Sequence, residues 1–219
     1  MEKIIHKHKD IWTNKDFILS VIFGFLLLVV SFVINFYAGV FATANMSNSV
    51  TDTLLSLLPV VNLHFIIVDG IPIFLGLLVV LSALEPKRIP FIMKSMALFV
   101  IIRALFLTMT HIAPFPDREI VVSTGFIHLF FVGGELFFSG HTGMPFLMAL
   151  AFWESKTIRN IFLFFTVVAA VSVILSHVHY SIDVFAAPFI TYSIFVIAKK
   201  FFVKDYKIFM ETIHGSHNH

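Results

Sequence analysis

His179 and Asp183 stand four residues apart in the run His177-Val178-His179-Tyr180-Ser181-Ile182-Asp183. On a helix that spacing puts both on one face. A carboxylate beside an imidazole holds one tautomer and raises the basicity of the other nitrogen, which makes the ring a nucleophile or a strong base. A second run, Ser139-Gly140-His141-Thr142-Gly143, can open a helix. The free N–H groups of such a helix start would cradle a phosphate. His141 would then sit beside that phosphate, able to protonate a leaving oxygen. The bland alternative for both runs is interfacial imidazole satisfied by water.

The chain that must position these runs has 219 residues, of which 58% are hydrophobic and 13% charged, with a mean hydropathy of +0.96. Soluble domains carry about 25% charged residues. The composition excludes a soluble globular protein, a disordered chain and a nucleic-acid binder. There is no Cys, which excludes disulfides, thiolate nucleophiles and Cys-ligated metals. The apolar residues fall in runs of about 20, the length that crosses a bilayer. The expected fold is all-α, a polytopic membrane protein with six transmembrane helices. The predicted spans are 17–42, 60–84, 90–112, 141–153, 161–178 and 182–202. The second is interrupted by Asp69-Gly70 and Pro72. The fourth is short, and the Gly-broken stretch 126–138 before it completes it or lies at the interface. Residues 1–16 form an N-terminal segment, 17–202 a six-helix catalytic domain, and 203–219 a polar, solvated tail.

Basic residues set the orientation. Lys3, Lys7, Lys9 and Lys15 precede the first span, and Lys87, Arg88 and Lys94 flank the turn between the second and third. Lys156 and Arg159 lie between the fourth and fifth, and Lys199, Lys200, Lys204 and Lys207 end the sixth. Thirteen of the fifteen Lys and Arg thus share one side; Arg118 is alone on the other and Arg103 is inside the third span. The positive-inside rule puts both termini in the cytoplasm of a multi-pass cell-membrane protein. The loops 43–58, 111–140 and 177–181 then face outward, and the chemistry gathers there. His64, His111, His128, His141, His177 and His179 all lie in or beside the outward ends. Imidazoles and charges at membrane depth are costly and usually functional.

Ser139-Gly140-His141-Thr142 together with His179-Tyr180-Ser181-Ile182-Asp183-Val184 resembles the sphingomyelin synthase branch of the type-2 phosphatidic acid phosphatase superfamily. Those proteins read Cys-Gly-Asp, three residues, Ser-Gly-His-Thr, and later His-Tyr-Thr-x-Asp-Val. This chain has Gly133-Gly134-Glu135-Leu136-Phe137-Phe138 before its Ser-Gly-His-Thr. Arg103 and the stretch 110–116 are similar to the family's Arg followed by Thr-Thr-Leu-Pro-x-Pro. The resemblance covers about 103–184 by motif and the whole chain by six-span topology.

The resemblance implies a lipid phosphotransferase with its active site at the extracytoplasmic face. It makes His179 the nucleophile, Asp183 the group that orients it, and His141 the general acid and later base. A phospho-headgroup would pass from a glycerophospholipid donor through a phospho-His to a lipid alcohol such as ceramide or diacylglycerol, one hard step split into two. With water as acceptor the same machinery is a lipid phosphatase or a phospholipase C-like hydrolase. No metal or other cofactor is implied. Phosphatases of the superfamily usually carry Lys-x6-Arg-Pro, absent here, and a Ser-Arg pair that is Ser172-Val173 in this chain. These departures favour the synthase branch, while Gly133 and Glu135 in place of Cys and Asp leave the headgroup open.

Ser139, Gly140, Thr142, Glu135 and Arg103 complete the candidate substrate site. Arg103, roughly 20 Å from the cytoplasmic end of its span at 1.5 Å per residue, is either a phosphate clamp or the ion-pair partner of Asp69. Glu135 either faces the headgroup or is a solvated loop carboxylate. His177-x-His179 has metal-ligand spacing, but Asp183 claims the ring at 179. Two readings of other kinds compete: a proton-coupled membrane transporter, and a lipid-binding pseudoenzyme. A transporter would show repeat symmetry and polar residues reaching the cytoplasmic half, and neither is seen. The oligomeric state is left open.

Overall fold

The computed structural model describes residues 11–118 and 137–214. Glu135, His128 and Gly133-Gly134 lie outside the described residues. Within them the chain forms helices and no strand: α1 (Lys15–Ala44), α2 (His64–Leu84), α3 (Ile89–Met109), α4 (Gly140–Ala151), α5 (Lys156–Leu175), α6 (Ser181–Phe201) and α7 (Val203–His214). Short 3-10 turns stand at Leu55–Leu57 and Pro86–Arg88. Among the described residues five helices are long and apolar enough to cross a membrane: α1, α2, α3 with the turn before it, α5 and α6. α4 has 12 residues, about 18 Å of helix, and falls short of a hydrocarbon core of roughly 30 Å. The second predicted span is one continuous helix despite Pro72. Proline is tolerated in membrane helices where neighbouring groups satisfy the freed backbone.

α1 lies along α3. It buries Gly24, Ser31, Asn35, Ala38, Gly39 and Ala42. All but Asn35 are small, which lets the two backbones approach. A Cβ on Gly24 would stand 3.4 Å from the Met93 Cβ. The rest of α1 is a coat of exposed apolar side chains such as Phe25, Val29 and Val33.

α4 packs against α3, α5 and α6. Leu147, Met148 and Ala149 are fully buried. A helix that is apolar all round needs such a position. Gly143 makes the fit possible: a Cβ there would stand 2.7 Å from Phe99 Cζ on α3 and 2.9 Å from Thr191 Oγ1 on α6.

Residues 203–214 do not run on as a solvated tail. They fold into α7, because Tyr206, Phe209, Met210 and Ile213 recur at i, i+3, i+4 and i+7 and form an apolar stripe. Phe209 and Ile213 are buried against the bundle. Polar bonds fasten the helix: Lys94 Nζ meets Asp205 Oδ2 at 2.6 Å, Ser20 Oγ donates to Asp205 Oδ1 at 2.6 Å, and Arg88 Nε donates to Thr212 Oγ1 at 3.0 Å.

The two motifs meet at the other end of the bundle, where α1, α3 and α5 finish and α2, α4 and α6 begin. Bonds between connecting segments close this end. Ser47 N–H donates to the His111 carbonyl at 2.6 Å, and Val61 N–H to the Leu175 carbonyl at 2.8 Å.

Candidate active site

The turn from α5 to α6 carries the second motif. The Val178 and His179 N–H groups both donate back to the Val173 carbonyl, at 3.0 and 3.4 Å. His177 takes a left-handed backbone, φ +52°. α6 begins only at Ser181, so His179 and Asp183 do not share a helix face as their spacing predicts. Helix capping brings them together instead. Asp183 reaches back from the first turn, and its Oδ2 accepts the Tyr180 N–H at 3.0 Å. That oxygen also stands 3.6 Å from His179 Nδ1, with both side chains almost fully buried. A separation of 3.6 Å is just beyond a hydrogen bond, and catalytic hydrogen bonds are often long before substrate arrives.

Ser139 caps α4: its Oγ accepts the Thr142 N–H at 3.3 Å and the Thr142 hydroxyl at 3.2 Å. Both side chains are buried, so their hydroxyls build the helix start. The Ser139 N–H donates to the Asp183 carbonyl at 3.1 Å, which joins the two motifs through the backbone. His141 follows on the first turn, and its ring centroid lies 5.9 Å from that of His179, with the planes at 67°.

Arg103 comes from α3. Its Nε donates to the Phe138 carbonyl at 3.2 Å and its Nη1 to Asn35 Oδ1 on α1 at 3.1 Å. A Cβ on Gly140 would stand 3.3 Å from Arg103 Nε. The glycine therefore lets the guanidinium lie against the first turn of α4. Asp69, the alternative partner, is exposed on α2. Among the described residues it makes neither an ion pair nor a hydrogen bond.

Gly140, His141 and Arg103 face a cavity of about 380 Å³, walled by α1 to α5. Its remaining described polar side chains are Asn35 and Asp69; the rest of the wall is hydrocarbon, with Phe32, Phe65, Phe74 and Phe165 prominent. His179 and Asp183 lie behind His141 and do not line this cavity.

A strap made from the α1–α2 connection covers the second motif. Asp52 Oδ2 accepts the Ser181 N–H at 2.7 Å, while its Oδ1 accepts the N–H groups of Leu54 and Leu55 at 2.9 and 3.1 Å. Burial pushes the Asp52 carboxyl up, but the bonds from Ser181, Leu55 and Leu54 outweigh it and hold it below the ordinary carboxylate value. The Tyr180 hydroxyl donates to the Ala113 carbonyl at 2.8 Å and accepts the Val50 N–H at 3.1 Å. His177 packs edge-on against Phe115, ring centroids 5.3 Å apart. Among the described residues no three side chains of metal-ligating type converge.

Sequence reasoning missed Asn35 and Asp52. A lone Asn within the apolar run 17–42 was the available signal for the first. Asp52 sits before Thr-Leu-Leu in a loop, an arrangement too common in turns to have marked it.

A family model described as PAP2 superfamily C-terminal matches residues 133–200, a stretch that holds both motifs and less than half of the chain. No curated protein and no solved structure matches. Residues 133–200 are thus similar to the C-terminal part of that superfamily, whose members act on phosphate esters as phosphatases or phosphotransferases.

Proposed function

We propose that the chain is an integral-membrane lipid phosphotransferase of the sphingomyelin synthase-like kind, working through a phospho-His. The observation that carries this reading is the pairing of His141 and His179, ring centroids 5.9 Å apart, with Asp183 beside His179 Nδ1. One ring backed by a carboxylate and one without is the asymmetry that a nucleophile and a proton shuttle need.

With Nδ1 turned to Asp183, Nε2 of His179 is the nitrogen left for phosphorus. It attacks the lipid phosphodiester; an N–P bond forms and the ester P–O bond breaks. His141, protonated, gives its proton to the departing alkoxide, which leaves as diacylglycerol. The acceptor hydroxyl then attacks phosphorus, His141 takes its proton, and the N–P bond breaks to free His179. Arg103, held by Asn35 and the Phe138 carbonyl beside Gly140, balances the charge of the phosphoryl oxygens. Glu135 is proposed to face the headgroup from the loop before Ser139. The donor enters from the bilayer, and the site faces the extracytoplasmic side.

Incubation of the purified protein with labelled phosphatidylcholine, phosphatidylethanolamine and phosphatidic acid, each with and without ceramide or diacylglycerol, tests the reading. Thin-layer chromatography is expected to show headgroup transfer to a lipid alcohol. Release of a water-soluble phosphate ester, or of inorganic phosphate from phosphatidic acid, without transfer would make the protein a hydrolase built on the same site. No turnover of any donor would overturn the reading.

A further inference from the structure

Asp69 places a carboxylate in an apolar cavity at membrane depth, and the catalytic scheme above does not use it. It lies five residues into α2, about 7.5 Å along the helix, and Arg103 lies six residues from the end of α3, about 9 Å. The two therefore enter the cavity from a similar depth, one on α2 and one on α3. They do not neutralise each other: Arg103 bonds Asn35 and Phe138, and Asp69 bonds no described residue. The cavity thus has a guanidinium on its α3 wall and a carboxylate on its α2 wall.

α2 packs on α5, but α1 and α2 scarcely touch. Phe32 and Asn35 of α1 and Phe65 and Ile73 of α2 line the cavity, and Phe65 and Ile73 are also exposed on the surface of the bundle. Helix packing therefore does not close the cavity at the α1–α2 seam, and a bilayer would put hydrocarbon against that gap. Its volume of about 380 Å³ lies in the range of small-molecule sites, roughly 300–1,000 Å³. It would take the polar end of a lipid and the first part of its chains, the rest trailing through the seam.

A carboxylate accepts hydrogen bonds and repels phosphate. A phospholipid placed with its phosphate at Asp69 would bring two anions together, whereas its phosphate is matched at Arg103. The lipid suited to Asp69 carries no phosphate and offers an O–H or N–H donor. We infer that the α1–α2 seam and Asp69 form a binding site for an uncharged lipid alcohol, whose hydroxyl or amide N–H donates to the Asp69 carboxylate. This rests on the phosphotransfer reading. In that reaction the acceptor is such an alcohol, and the diacylglycerol released from the donor is another.

Equilibrium binding in phospholipid-free detergent tests the inference without any turnover. The probes are radiolabelled diacylglycerol and ceramide, and the same lipids with their hydroxyls methylated. The intact protein is expected to bind the free alcohols roughly 10- to 100-fold more tightly than the ethers, the worth of one hydrogen bond to a charged group. Asp69→Ala is expected to bring alcohol and ether to the same affinity, that of the ether. Asp69→Asn, which keeps an oxygen acceptor without the charge, is expected to fall between, and serves alone if Asp69→Ala does not fold. The ceramide arm separates N–H from O–H donation, because its methyl ether keeps the amide. If the diacylglycerol preference is absent in the intact protein and Asp69→Ala leaves ceramide binding unchanged, or if the diacylglycerol preference survives Asp69→Ala, the inference is overturned. Asp69-dependent binding of an amine-headgroup phospholipid in place of the alcohols would also overturn it. Turnover of labelled phospholipid by the same preparation is a separate readout. Its absence would overturn the phosphotransfer reading while the hydroxyl preference still reported on Asp69.

Discussion

The Ser139 N–H donates to the Asp183 carbonyl at 3.1 Å. One backbone bond thus ties the first turn of α4 to the first turn of α6. It helps fix the 5.9 Å between the His141 and His179 rings. Because no side chain takes part, it is expected to survive substitution of either imidazole, and of the carboxylate where an acceptor for the Tyr180 N–H is kept. Loss of chemistry can then be read separately from loss of fold.

Asp183→Asn uses that separation. The amide oxygen can still accept the Tyr180 N–H, so the cap of α6 stays and the thermal midpoint in detergent is expected to change little. The amide cannot stabilise a charged imidazole, and turnover of labelled phospholipid is expected to fall on the order of 10³- to 10⁴-fold. His179→Ala and His141→Ala are expected to be as inactive. An Asp183→Asn protein with near-normal turnover would remove Asp183 from the chemistry and leave it a capping residue.

Arg103→Lys keeps the charge but loses the fork that reaches the Phe138 carbonyl and Asn35 together. A charged hydrogen bond is worth roughly 1.5–3 kcal/mol, so turnover is expected to drop tenfold or more while the protein folds. Asn35→Leu withdraws one acceptor of the guanidinium and is expected to lower turnover by a similar factor with Arg103 intact. The double change Asp69→Asn with Arg103→Gln is expected to stay inactive. A stable and active double mutant would show that Arg103 is present only to balance Asp69.

Gly143→Ala adds a methyl where Phe99 Cζ would be 2.7 Å and Thr191 Oγ1 2.9 Å away. Overpacking of this kind costs about 1–3 kcal/mol, read as a lower thermal midpoint. Phe99→Leu in the same chain removes the nearer atoms and is expected to recover part of the loss. A Gly143→Ala protein as stable as the parent would mean that α4 is less tightly wedged than its contacts imply.

How much of this was legible in the sequence follows from how local each signal is. The long apolar runs mark α1, α2, α3, α5 and α6 because membrane length and hydropathy are properties of a segment by itself. The Ser139 cap was legible for the same reason. The His179–Asp183 pairing was legible as a pair, but the reason was wrong: a helix face was expected, and a backward-reaching cap brings them together. α7 was missed because its stripe of Tyr206, Phe209, Met210 and Ile213 is interleaved with charge, which lowers mean hydropathy without breaking the period. Asn35 and Asp52 were missed because their partners, Arg103 and Ser181, are distant in sequence. Nothing local in the chain tells which polar residue will meet which.

The site end of the bundle is expected to face away from the cytoplasm, on the strength of thirteen basic residues at the other side against Arg118. The absence of Cys makes the test clean. Single cysteines at 118 and 156 are to be labelled in intact cells with a membrane-impermeant maleimide. Position 118 is expected to react and 156 to react only after permeabilisation. The reverse pattern would put the site, and the donor lipid, in the other leaflet.

Asp52 gives the acid limit of the folded site. Its carboxylate holds the N–H groups of Leu54, Leu55 and Ser181, and these bonds keep its pKa below the ordinary value despite burial. A carboxyl whose folded pKa is depressed contributes stability above its unfolded pKa, about 3.9. That contribution is lost as pH falls through the lower, folded value. The parent and Asp52→Asn are therefore expected to differ in thermal midpoint at neutral pH and to converge below about pH 4. The neutral amide retains an acceptor but not the charge-assisted strength, so the gap at pH 7 is expected to be about 1–2 kcal/mol. Ser181 opens α6 two residues before Asp183, so loosening the strap is expected to lower turnover as well. A gap in midpoint that is the same at pH 3 and pH 7 would mean that the strap is held by shape alone, with no share from the Asp52 charge.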